Sequence, residues 1–70
     1  MAQLTEQDIE LIRDALKSWR RKASFESALS STIRRRGGDF EDYLRIISEI
    51  RVKARNEGTK IHDAARALIG

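Results

Sequence analysis

Cysteine and proline are absent from this 70-residue chain, and histidine, tryptophan, tyrosine and methionine occur once each. Without cysteine there is no disulfide, no thiolate zinc site and no thiol redox chemistry. With one histidine and dispersed carboxylates, no structural metal and no cofactor are expected. No apolar run approaches the roughly 20 residues of a membrane span, so no membrane contact is expected. Residues Met1 to Glu6 have neither the basic cluster nor the apolar core of a signal peptide, which makes the cytoplasm the expected compartment. Glycine is confined to positions 37, 38, 58 and 70, outside the periodic runs, so the rest of the chain contains nothing that stops a helix outright.

What is present is charge and helical periodicity. Charged residues make up 36% and hydrophobic residues 40%, a balance that suits a folded helical domain rather than a disordered chain. A chain this short buries only about 60% of the surface its unfolded form exposes. Small domains usually add disulfides, a metal or a second subunit, and only the last remains here. A homo-oligomer, or a larger protein partner, is therefore expected.

Thr5, with Asp8 three residues on and Leu4 and Ile9 at staple positions, reads as a helix start. Ile9, Ile12, Leu16, Trp19 and Ala23 then recur at spacings of three and four. Leu4, Leu11 and Ala15 form a weaker ridge beside them. The phase changes near Ser24, after which Phe25, Ala28, Leu29, Thr32 and Ile33 define a different face. One straight helix could not turn both stripes to one core. Two helices over about 5–22 and 25–36 are expected, in preference to one long helix.

Arg34, Arg35, Arg36, Gly37, Gly38 and Asp39 join the densest charge in the chain to its only Gly-Gly pair. Glycine ends one helix in a left-handed conformation, and Asp39, with Asp42 three residues on, caps the next. The third helix, about 39–57, has Phe40, Tyr43, Leu44, Ile47, Ile50 and Ala54 on its apolar face. Gly58 ends it, and Thr59 is positioned to cap a short fourth helix, about 60–69, with Ile61, Ala64, Ala65, Leu68 and Ile69 facing inward. The expected fold is all-α: one domain over residues 1–70, a small bundle of three principal helices plus a short C-terminal helix.

The net charge is +3 and the isoelectric point about 9.8, a bias that fits polyanion binding without requiring it. The charge is uneven. Residues 1–16 carry one arginine against four acids, residues 17–36 seven bases against one acid, and residues 37–70 equal numbers. Each middle cluster closes a helix, where bases favour the exposed carbonyls by about 0.3–1 kcal/mol apiece. Antiparallel helices would hold the two clusters roughly 18 Å apart at 1.5 Å rise per residue. The Arg34–Arg36 triplet would then lie among Glu6, Asp8, Glu10, Asp39, Glu41 and Asp42. Lys17, Arg20, Arg21 and Lys22 would gather with Arg51, Lys53 and Arg55 at the other pole, the stronger candidate for phosphate contact.

The remaining motifs are weak. Ala54 and Gly58 have the spacing of a helix-turn-helix corner, but a long helix precedes it and a short one follows. Residues Ile61 to Gly70 resemble the first helix of some winged-helix or excisionase-type DNA readers over those ten residues alone. The resemblance does not extend to a recognition helix, and no site residue is carried over. Trp19 is in register with Ile12 and Leu16, which suits core more than base stacking. His62, with only Asp63 beside it, forms no catalytic constellation, and Gly37-Gly38 lacks the lysine and hydroxyl of a phosphate loop. No enzyme activity and no small-molecule substrate are indicated. Leu4, Leu11, Ala15, Ile46 and Val52 fall outside the main stripes and are the expected self-association surface. The leading expectation is thus a non-catalytic protein-binding or regulatory module, a homodimer acting through an apolar surface. The alternative is a small nucleic-acid-binding protein that uses the basic pole.

Overall fold

The computed structural model describes residues 4–20 and 23–70. Its helices are α1 (Glu6–Ser18), α2 (Phe25–Arg35), α3 (Phe40–Glu57) and α4 (Ile61–Ile69). α1 packs chiefly on α2 and α4, and α3 on the same two neighbours. The four helices therefore form a ring, with α1 and α3 across from each other. The shortest dimension is 20 Å, about two helix diameters.

Local chemistry sets three of the four starts. Asp8 N–H donates to Thr5 Oγ1 at 3.1 Å and Thr5 N–H donates to Asp8 Oδ2 at 2.9 Å, a reciprocal capping box. Asp39 and Asp42 repeat it at α3 with bonds of 3.0 and 3.1 Å. Ser24 Oγ accepts from Ser27 N–H at 3.2 Å. α4 is the exception: it begins one residue after the expected start, with Lys60 rather than Thr59 at the cap position and no side-chain bond to it.

α1 ends at Ser18, short of the expected 22, although no glycine or proline is near. Trp19 leaves the helix with extended backbone, φ −68° and ψ 126°. Its indole N–H donates to the Ala23 carbonyl at 2.7 Å. Its ring meets Phe25 edge-on at 6.1 Å and His62 at 4.8 Å. Tertiary contacts to α2 and α4 thus end α1 earlier than periodicity suggests.

The buried seams also differ from the expected stripes. In α1 the buried residues are Asp8, Leu11, Ile12 and Ala15, a face turned about 70° from the stripe through Ile9, Leu16 and Trp19 at 100° per residue. In α3 they are Ile46, Ile47, Ile50 and Ala54, while Phe40 and Leu44 lie outside. Both shifts have one cause. Each helix packs on two neighbours, so the buried seam must serve both contacts rather than follow the single most apolar stripe. Leu29, Ile33 and Phe25 complete the core from α2, and Ala64 and Ala65 from α4.

Candidate functional site

Leu11, Ala15 and Ile46, expected on a self-association surface, belong to this core with 6%, 0% and 0% of their surface exposed. The weaker ridge of α1 is its buried one, which corrects that expectation. Leu4 is partly buried against the same cluster. Of the five residues only Val52 is outward, at 50% exposure. It is joined on α3 by Phe40 and Leu44, exposed by 63% and 46%, which periodicity had assigned to the core. Phe40 stacks on Tyr43 with ring centroids 5.9 Å apart. Burial holds the Tyr43 hydroxyl above its ordinary pKa of 10.0; nearby Glu26 adds to the rise and Arg51 opposes it.

The cations sort by whether an acid answers them. Arg45 donates to both carboxylate oxygens of buried Asp8, at 2.5 and 3.0 Å, and lies 3.5 Å from Asp42. Arg36 pairs with Asp14 at 2.5 Å. Lys53 pairs with Glu57 at 2.8 Å across one helical turn. The arginine triplet is therefore not neutralised by the six acids expected around it. Asp8 and Asp42 serve Arg45 and the helix caps, and Asp14 is the acid that reaches Arg36.

Of the expected basic pole, Arg51 and Arg55 are exposed on α3, Lys53 is engaged by Glu57, and Arg21 and Lys22 lie outside the described residues. Lys17 and Arg20 line a groove of about 650 Å³ between the end of α1 and the flank of α2, and Arg35 lines it too. The two basic clusters were expected to stand too far apart to form one patch, so this corrects the charge map. The physical reason is that Lys17 precedes the corner by a turn and Arg35 ends an 11-residue helix. Ser18, Ser27 and Ser31 add hydroxyls, and Trp19, Ala23 and Ala28 complete the lining.

His62 is partly buried with its ring against Trp19. Among the described residues, no three His, Asp or Glu side chains converge as metal ligands, and no helix is long and apolar enough to cross a membrane. No known family, curated protein or solved structure matches this chain.

Proposed function

We propose that this chain is a cytoplasmic, non-catalytic protein-binding module of regulatory type, whose partner is a second copy docked through the outward face of α3. The observation that carries this reading is the exposure of Phe40, Leu44 and Val52 on one helix. Single exposed apolar residues are ordinary. These three share one i+4 ridge, Phe40–Leu44–Ser48–Val52, and such ridges are the units of helix packing.

The face suits itself. In an antiparallel two-fold crossing with ridge beside ridge, Leu44 lies near Val52 of the second copy, and Ser48 of each copy lies near the axis. The same crossing carries Glu41, at the start of the helix, toward exposed Arg51 and Arg55 at the end of the other. Phe40 is held by its stack on Tyr43, which lowers the ordering cost of docking. A standard interface takes about 800 Å² from each partner, a modest part of the 5007 Å² surface. A domain of this length gains most from such burial.

Sedimentation from low to high micromolar concentration tests the proposal. A species of twice 8.0 kDa is expected, reverting to monomer when Leu44→Gln and Val52→Gln are combined. Sedimentation as a monomer throughout, or a dimer indifferent to the double substitution, overturns it.

A further inference from the structure

We infer that the groove between α1 and α2 binds the phosphate groups of a nucleic-acid strand through Lys17, Arg20 and Arg35. Nine of the described residues line it; three of these are cationic and none is acidic. Pairing alone does not single the groove out, since Arg51 and Arg55 are exposed on α3 with no ion-pair partner among the described residues. What sets it apart is that its unpaired cations share one lining, which Arg51 and Arg55 do not join. Arg36, Arg45 and Lys53 each have a carboxylate within 2.8 Å. Lys17 and Arg20 have no ion-pair partner among the described residues, and the side chain of Arg35 donates only to Thr32 Oγ1, at 3.2 Å. The helix dipole accounts for a base near the end of a helix, as with Lys17 and Arg35. It does not account for Arg20, which lies beyond α1, nor for three such groups lining one acid-free concavity.

The lining favours phosphate. Arginine presents a planar fork matched to phosphate oxygens, and lysine adds a mobile point charge. Ser27 and Ser31, one turn apart on α2, offer hydroxyl donors on the same wall. Ala23 and Ala28 leave room for a ligand backbone to approach. The groove is open to solvent rather than an enclosed cavity, so a strand could enter it without the protein opening. Charge-driven contact of this kind needs no enclosed pocket, since release of condensed counterions supplies the driving force.

Trp19 lines the groove and is the only tryptophan, so its fluorescence reports binding. The experiment titrates the protein with a short oligothymidylate, monitored by Trp19 emission and by anisotropy of a labelled strand. Pyrophosphate is titrated in parallel. Saturable binding at low salt is expected, with a log–log salt slope near −2, at about −0.7 per contact for a single strand. Arg35→Gln and Lys17→Gln, each confirmed as folded by circular dichroism, should weaken binding severalfold and each lower the slope by about 0.7. Arg51→Gln combined with Arg55→Gln should leave the titration unchanged.

Three results overturn the inference. The first is no binding by either signal. The second is wild-type binding by both Arg35→Gln and Lys17→Gln, with loss on changing Arg51 and Arg55. The third is pyrophosphate binding as tightly as the strand, which assigns the groove to a free phosphate compound. The combined Leu44→Gln and Val52→Gln variant keeps the groove intact and should bind the strand as before, so the groove and the α3 interface fail separately.

Discussion

A carboxylate with 3% of its surface exposed cannot be left unanswered, and Asp8 is answered twice. Its oxygens accept from the Thr5 amide and from both terminal nitrogens of Arg45. One side chain thereby closes the cap of α1 and ties that helix to α3 across the ring. The Arg45 hydrogen bonds hold the Asp8 carboxyl below its ordinary 3.8, with burial opposing and the Thr5 amide assisting. The sign follows from linkage. A depressed folded pKa contributes stability that is complete above the unfolded value near pH 4, and is lost as pH falls through the folded value. The melting temperature should therefore drop on acidification below about pH 4, and Asp8→Asn should flatten that drop. Arg45→Met leaves the buried carboxylate without its guanidinium and should cost about 3 kcal/mol at neutral pH. Thermal melts of the two single variants and the double variant measure the coupling. The capping role of Asp8 was legible in sequence from its spacing to Thr5. Its pairing with Arg45, 37 positions away, was not, because nothing local distinguishes Arg45 from its neighbours.

At the scale of elements, the turn from α2 to α3 shows local signals at their most informative. Gly38 N–H donates to the Ile33 carbonyl at 2.8 Å and Gly37 N–H to the Arg34 carbonyl at 3.1 Å, the paired bonds of a Schellman stop. Gly37 has φ +84°, which explains the first glycine. The second has a different reason. A Cβ on Gly38 would stand 2.6 Å from Ile33 Cγ2, and Ile33 is itself 1% exposed in the core. Gly38→Ala must then push a packed side chain, at about 1–3 kcal/mol. Denaturant titration should show a lower midpoint with an unchanged slope. The Gly-Gly pair marked a helix stop from sequence alone, whereas the need for its second member depends on how closely Ile33 returns over it. The end of α1 is the opposite case. No residue there breaks helices, and the contacts of Trp19 with Phe25 and His62 decide it.

For the whole molecule, four short helices in a ring produce a core built largely of isoleucine, leucine and alanine. Ala64 and Ala65, both 0% exposed, give α4 close approach to its neighbours but little apolar bulk. The proposed self-association would add burial that the single chain lacks, and mass action would then link melting to concentration. If two copies pair through α3, the melting temperature should rise between low and high micromolar protein. The combined Leu44→Gln and Val52→Gln variant should melt independently of concentration. Differential scanning calorimetry over that range checks both. The expected interface residues failed as a set because periodicity identifies an apolar stripe but not how far neighbouring helices rotate it. Leu11, Ala15 and Ile46 turned inward, while Phe40 and Leu44 turned out. The candidate groove was half legible: Lys17 and Arg20 stood out as a cluster, and Arg35 was placed on a different patch.

The sequence by itself determined the helix count, the break at Ser24, two capping boxes, both glycine stops and the excess of positive charge in the middle of the chain. Those features are written in residues no more than a few positions apart, where hydrogen bonds to the backbone and the period of 3.6 act directly. The tertiary structure alone decided where α1 ends, which face of each helix is buried, which arginines meet a carboxylate, and that Lys17, Arg20 and Arg35 line one groove. Each of these depends on the distance and rotation between helices, set by side chains far apart in the chain that pack only once all four are present.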